Sequence, residues 1–291
     1  MPETQRTEAK VKRLIWDIEV SPNVGLFWRP GFKVSINPDA IVDERKIICI
    51  GYKWQGERKT HVLRWDGSRN DKAMLKAFLY VLEEADEAIA HFGDSFDLPW
   101  IRGRCLIHGL EPLPLVKTVD TKAWASKYFY FNSNKLDYLG SVLGFGHKHD
   151  TDFQMWKDIT LNTERAPAQL NRMCNYCARD VELLEKVYDK LQTSVSSKTH
   201  AGVFAGHDRW SCPRCASESV KSNKRVVTPA GMIRHQMRCN KCHGYYQIPN
   251  FIHERYKKAK ASNANQDQDR PCGKASPCSP RCAGPKGKGR G

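Results

Sequence analysis

Four cysteines, Cys212, Cys215, Cys239 and Cys242, stand as two C-x2-C pairs separated by 23 residues, and nothing else in the sequence limits the path of the chain so strongly. Four thiolates at that spacing suit one tetrahedral Zn2+. The stretch between them must then fold back. Val226, Val227 and Thr228 before Pro229-Ala230-Gly231, followed by residues 233–238, suit a hairpin between the two knuckles, and residues 245–248 suit a further strand. In so small a module the metal supplies most of the folding energy. Disulfides are the competing use of these thiols, and the compartment argues against them. Residues 1–10 are polar and charged, with no apolar stretch before a small-residue cleavage site, and no run reaches the roughly 18 apolar residues of a membrane span. The expected location is cytoplasmic, with no membrane partner.

Charge divides the chain at the same place. Residues 1–195 carry 28 Lys and Arg against 27 Asp and Glu, whereas the remainder carries 19 against 5. A near-neutral body with a basic appendage fits a polyanion binder, since neutralising phosphates releases counterions. Lys221, Lys224, Arg225, Arg234, Arg238 and Lys241 supply that charge around His235 and Tyr245. Of these, Lys224, Arg225, Arg234 and Arg238 are the expected nucleic-acid contacts. Docking of a replication or repair protein on the ribbon is the alternative use of this surface. His207, His243 and His253 are surplus to a four-cysteine site and are expected to be exposed. Cys272, Cys278 and Cys282 lack an evident fourth partner.

The body reads as α/β. Strand-like runs cover residues 12–20, 46–54, 60–65, 88–92 and 114–119. Helical periodicity covers 71–85, with Ser68 as the expected N-cap, then 97–108, 120–128, 134–143 and 166–191. Strands first, then strands alternating with helices, predict a mixed sheet flanked by helices. The expected organisation is a body over 1–192, a linker over 193–207, a metal module over 208–254 and a disordered basic tail over 255–291, where apolar residues nearly vanish. Cys49, Cys105, Cys174 and Cys177 lie among apolar neighbours and read as buried packing residues.

Asp17 and Glu19 sit in Leu14-Ile15-Trp16-Asp17-Ile18-Glu19-Val20, where the strand period of two puts both carboxylates on one face. Two such charges are costly side by side unless a cation lies between them. A second D-x-E, Asp180 and Glu182, falls in a helix, where its carboxylates point about 200° apart. Asp97, at the start of a helix, taken alone reads as an N-cap before it reads as a ligand. Tyr176 and Asp180, four apart on the long helix, share a face.

In this order and on these elements, residues 11–191 resemble the DEDD superfamily of ribonuclease H-like 3'-5' exonucleases in its tyrosine-type branch, with a phage-type cast. The motifs are Asp17-Ile18-Glu19, then Phe96-Asp97 after a strand, then Tyr176-Cys177-Ala178-Arg179-Asp180. The segment Phe131-Asn132-Ser133-Asn134-Lys135-Leu136-Asp137-Tyr138-Leu139-Gly140 is similar to the helix between the second and third motifs of phage-type relatives. The cysteine module resembles a zinc ribbon. Family B polymerase exonuclease domains share the motifs, although the stretch after Asp180 is too short for a polymerase domain. The chain departs from the pattern at His91-Phe92-Gly93, where relatives carry His-Asn-Gly; Asp94 is the nearest substitute.

The resemblance implies a metal-dependent nuclease acting from the 3' end of nucleic acid, DNA favoured over RNA, in the host cytoplasm if the chain is phage-encoded. Four carboxylates are hard ligands for two Mg2+ or Mn2+ ions that clamp the attacking and leaving oxygens. By resemblance Asp17, Glu19 and Asp180 hold one ion, Asp17 and a water-bridged Asp97 serve the other, and Tyr176 orients the attacking water. Asn134 and Lys135 are candidate strand contacts. Trp16, Phe92, Phe96 and Trp100 are either stacking surfaces or core. An endonuclease built on the same carboxylates, and a non-catalytic adaptor acting through the ribbon alone, are the two alternatives.

Overall fold

In Arg13–Val20 (β1) apolar residues occupy both faces near the start and carboxylates take over one face near the end, which makes this strand the centre of the sheet. The computed structural model describes residues 10–29, 31, 35–147 and 152–268. After β1 come the short strands Val24–Gly25 (β2) and Ile41–Asp43 (β3), then Ile47–Trp54 (β4) and His61–Arg64 (β5). Helix Lys72–Glu83 (α1), strand Glu87–Ala90 (β6), helix Asp97–His108 (α2), strand Lys117–Asp120 (β7) and helix Thr121–Tyr128 (α3) alternate next. Helices Leu136–Val142 (α4), Phe153–Thr160 (α5) and Ala166–Leu191 (α6) complete the body. The five-stranded sheet has the order β5-β4-β1-β6-β7. β1 runs antiparallel to β4 and parallel to β6. This is the expected mixed sheet with helices on both faces.

The period of two in β1 sorts its side chains. Leu14, Trp16 and Ile18 pack with Leu75, Phe78 and Leu82 of α1 and Leu98 and Ile101 of α2. Trp16, 1% exposed, lies 5.1 Å from the Phe78 ring and is core, not a stacking surface. Each such buried side chain contributes about 1.5–3 kcal/mol. Ile15 faces the other way, onto Val181, Leu184 and Val187 of α6. Asp17 and Glu19 therefore belong to the α6 side.

Ser68 does not cap α1. Its N–H and hydroxyl both donate to Asp66 Oδ1, at 2.9 and 2.6 Å, and the helix starts after Asp71. Asp71 is fully buried and accepts from Arg104 Nε and Nη2 at 2.8 Å, from His108 Nε2 at 2.6 Å and from the Ile47 N–H at 3.1 Å. Burial alone raises its carboxyl, but the Arg104, His108 and Ile47 hydrogen bonds outweigh that and hold it below the ordinary 3.8. α2 closes on Gly109, whose left-handed φ of 59° lets its N–H reach back to Cys105 and Leu106.

Residues 193–207 are not a free linker. Val195, Thr199 and Ala201 are buried, and the stretch holds the short helix Ala201–Phe204 (α7). Lys117 Nζ donates to Thr199 Oγ1 at 3.3 Å, Lys198 donates to the Thr118 carbonyl, and Arg214 Nη2 donates to the Val195 carbonyl at 3.3 Å. Strands Val220–Val227 (β8), Ile233–Cys239 (β9) and Tyr245–Pro249 (β10) form the expected three-stranded module in the order β10-β9-β8.

Disorder from residue 255 is corrected as far as the described residues go. Helix Asn250–Gln268 (α8) runs through it, because Ile252, Tyr256 and Ala259 recur at helical spacing and pack on Trp210, Met237 and Ile248. His253 is correspondingly buried, its ring stacked 3.5 Å from that of His235 and its Nε2 3.1 Å from Ser222 Oγ. It is no exposed bystander. Cys272, Cys278 and Cys282 lie outside the described residues.

Candidate active site

On α6 the apolar stripe reads Met173, Cys177, Val181, Leu184, Val187 and Leu191, and Asp180 occupies a place in it. A carboxylate there, 2% exposed, is a buried charge that needs partners. The stripe lies directly on β1, since the Cys177 thiol reaches the Asp17 carbonyl at 3.6 Å. Gly51 makes that approach possible. It pairs with Asp17 in the β1–β4 register, and a Cβ there would stand 2.9 Å from Cys177 Sγ and 3.2 Å from the Cys177 carbonyl. The sequence signal was a glycine inside an otherwise apolar strand.

This packing brings Asp17, Glu19 and Asp180 together, with one carboxylate oxygen from each inside a 4.8 Å cluster. Like charges at that range are mutually destabilising without a cation. Their field is felt by Cys177: a hydrogen bond with Cys49 favours the thiolate, but burial and the charges of Asp17 and Glu19 outweigh it and push the thiol up to about 11. Asp97 is the first residue of α2, and Phe96 holds the N-cap position. Asp97 is 2% exposed, and Oδ1 accepts from the Ile18 N–H at 3.3 Å, which fixes the carboxylate against the backbone between Asp17 and Glu19. It is not a member of the three-oxygen cluster. Tyr176 stands one turn before Asp180, half-buried, with its ring edge-on to Trp156 at 6.5 Å.

The sequence profile of the RNase H superfamily matches residues 41–192, just over half of the chain. The chain belongs to the RNase H superfamily. Among solved structures, the family B DNA polymerase from the hyperthermophilic archaeon Pyrobaculum calidifontis is similar over 75% of this chain and 31% of its own length, with 16% sequence identity and a TM-score of 0.48. No curated protein matches by sequence. Membership in the RNase H superfamily supports a nuclease with a nucleic-acid substrate, and nucleases of this superfamily commonly use divalent metals. Among the described residues, no helix is long and apolar enough to cross a membrane.

Around the superfamily core the other candidates distribute unevenly. His91, which sequence reasoning passed over, joins three elements: its ring nitrogens lie 2.9 Å from Thr121 Oγ1 and 3.0 Å from the Asn134 carbonyl. Asn134 is thereby held at the start of α4 by its main chain, and Lys135 beside it is exposed. Phe92 and Phe96 are exposed, and Arg45 covers Trp100 at 4.8 Å. Asp94 is exposed on the same turn.

In the C-terminal module the four sulfurs fall within 4.8 Å of one another. Cys212 and Cys242 are 3.6 Å apart, and Cys215 and Cys239 3.7 Å. A tetrahedron with metal–sulfur bonds of about 2.3 Å has edges of about 3.8 Å, whereas a disulfide needs about 2.05 Å. Burial raises the Cys239 thiol, but the Cys242 and Lys241 backbone N–H groups outweigh this and bring it to about 7. On the module's surface the β8–β9 register pairs Lys221 with Arg238, Lys224 with Gln236 and Val226 with Arg234. Lys221, Lys224, Arg234 and Arg238 therefore share one face. Arg225 pairs with the buried His235 and points to the opposite side, toward α8.

Proposed function

We propose that this chain is a 3'-5' exonuclease that hydrolyses the terminal phosphodiester bond of nucleic acid, DNA in preference to RNA. The observation that carries the reading is the convergence of Asp17, Glu19 and Asp180 from β1 and α6 into one 4.8 Å cluster, with Asp97 tied to the strand between the first two. The donor set is all carboxylate, which fits Mg2+ or Mn2+. Asp17, Glu19 and Asp180 would hold one ion, and Asp17 with a water-bridged Asp97 a second. Bound there, the ions would lower the pKa of a water and neutralise charge on the leaving oxygen. The protein's own part is positional. Asp180 is kept in place by the buried stripe of α6. The Asp97 side chain is oriented by the Ile18 N–H. Tyr176, whose phenol is a poor base at neutral pH, directs its hydroxyl at the water rather than deprotonating it.

The ribbon takes one structural Zn2+ on Cys212, Cys215, Cys239 and Cys242, a reading supported by the sulfur separations. Its face of Lys221, Lys224, Arg234 and Arg238 suits phosphate contacts, and Asn134 and Lys135 stand at the entrance of α4 as further strand contacts. The test is Mg2+-dependent degradation of 3'- and 5'-labelled DNA and RNA by the full chain, with Asp17→Ala alongside. Release of the 3' label first, stalling at a blocked 3' end and loss of hydrolysis in the variant are expected. Internal cleavage of the blocked strand would make the protein an endonuclease, and equal hydrolysis by Asp17→Ala would remove the carboxylate site altogether.

A further inference from the structure

Three cysteines meet where α6 crosses the sheet. In the strand registers Cys49 of β4 stands between Glu19 of β1 and Arg64 of β5, so the three side chains form one row on the face that α6 covers. Cys174 and Cys177 lie three apart on α6 and pack against that row. The Cys49 thiol hydrogen-bonds with both. Two of the three need no further explanation: Cys49 and Cys177 are fully buried, where cysteine serves as a small apolar side chain. Cys174 is only half-buried, and alanine would suit a helix position of that kind better.

Its surroundings single it out. Arg64 is anchored next to it, since Nη1 donates to Asn171 Oδ1 at 2.9 Å on the α6 turn before Cys174. The hydrogen bond with Cys49 favours the Cys174 thiolate, burial opposes it, and the Arg64 charge adds to the first, so the thiol lies below the ordinary 9.0. A cavity of about 440 Å³ opens along Arg64, Leu170 and Asn171 on that same turn, room enough for a small oxidant. Cys105 makes the contrast: burial and then the Asp71 charge raise its thiol. A partly exposed thiol beside a cation, with a second thiol in contact, is the arrangement in which cysteine oxidises selectively and reversibly.

We propose that Cys174 is an oxidation site with Cys49 as its resolving thiol, and that the disulfide between them switches the carboxylate site off. The oxidant is a hydroperoxide. The Cys174 sulfur attacks the O–O bond and becomes a sulfenic acid, and the expelled oxygen leaves as water after taking a proton. The Cys49 sulfur then gives up its proton and displaces the sulfenic oxygen, which leaves as a second water. The two sulfurs lose two electrons and the peroxide gains them. The new bond holds the two Cβ atoms about 3.5–4.5 Å apart, tighter than thiols in hydrogen-bonded contact require, so it draws α6 onto β4. Glu19 flanks Cys49 across the sheet and Tyr176 follows Cys174 by two residues, so the pull falls on the site itself. The loss of hydrolysis rests on the exonuclease reading above; formation of the disulfide does not.

The experiment treats the full, zinc-loaded chain with hydrogen peroxide, removes the oxidant, alkylates the remaining thiols under denaturing conditions and maps the unreduced digest by mass spectrometry. A peptide joining Cys49 to Cys174 is expected, missing from Cys174→Ser and lost on reduction with dithiothreitol, while Cys105 is recovered alkylated. In Cys49→Ala the sulfenic acid should persist long enough for capture by dimedone. Release of a 3' label in Mn2+ should fall about tenfold or more in the oxidised parent, the scale of a displacement of tenths of an ångström at a reacting centre, and return on reduction. Peroxide should leave the rate of Cys174→Ser unchanged, and zinc content measured on the same samples separates oxidation of the ribbon from that of the body. Absence of the linked peptide, a link from Cys174 to Cys177 in its place, or oxidation of Cys105 as readily as Cys174 would overturn the site. A Cys49–Cys174 bond that leaves hydrolysis at the parental rate would overturn the switch. Should the reduced parent hydrolyse nothing with any divalent ion, the exonuclease reading is what fails, and the linked peptide alone then decides the oxidation site.

Discussion

Replacing Gly51 with alanine should damage hydrolysis more than stability. The added Cβ would meet Cys177 Sγ at 2.9 Å, Val181 Cγ2 at 3.1 Å and the Cys177 carbonyl oxygen at 3.2 Å. A rotamer change can relieve the first two, but the third is helix backbone, so α6 itself must recede by several tenths of an ångström. Overpacking of this kind costs about 1–3 kcal/mol, or about 2–5 °C in thermal midpoint at this chain length. Asp180 sits one turn further along the same helix and moves with it. Since about 1 Å of misplacement at a reacting centre costs about a hundredfold, a loss of about tenfold in turnover is expected well below the midpoint. Thermal unfolding followed by circular dichroism, paired with release of a 3' label in Mg2+, reads both effects on one preparation. Adding Cys177→Ala removes the sulfur contact and should recover part of the stability. A Gly51→Ala protein that melts lower yet turns over at the parental rate would refute the idea that this glycine sets the distance between strand and helix for the site.

Two further outcomes follow from the buried groups. Asp71→Asn leaves Arg104 buried opposite a neutral amide and should cost about 3–5 kcal/mol in urea unfolding at pH 7. Because the folded Asp71 carboxyl lies below 3.8, its contribution is complete above that pH and drains away as pH falls through the lower folded value, so the gap between parent and variant should narrow only in strong acid. Cys239→Ser should lower the zinc content measured by mass spectrometry from one ion per chain and abolish the dispersed NMR signals of β8–β10, while those of the five-stranded sheet persist; full zinc occupancy in the variant would contradict the four-sulfur site.

Much of this architecture was legible because it is written in periodicities. The helices over 97–108 and 166–191 fall where the pattern puts them, since long amphipathic segments with clear end signals leave little choice. The alternation in β1 likewise fixed which side chains share a face. Contacts between distant segments were not legible. Nothing near Asp97 in sequence announces that its carboxylate accepts from the Ile18 N–H of a distant strand, and Ser68 looked like a cap because the sequence does not show that Asp66 claims its N–H and hydroxyl. The α8 helix was hidden by composition: a lysine-, asparagine- and alanine-rich stretch reads as solvated until the widely spaced Ile252, Tyr256 and Ala259 find a surface to cover. Arg225 shows the limit of counting charges, because register and not composition sends it to the opposite face from Lys224.

The central claim is that Asp17, Glu19 and Asp180 act as one ion-binding hydrolytic unit. It is tested most directly by the rate of mononucleotide release from a 3'-labelled single strand as Mn2+ is titrated, for the parent and for Asp180→Asn. The account predicts a parental rate that is nil without the ion and saturates with it, and a variant that stays folded but is slower by about a thousandfold or more at every Mn2+ concentration, the scale expected when preorganised charge stabilisation is lost. A parental rate independent of Mn2+, or an Asp180→Asn curve that overlays the parent's, would contradict it.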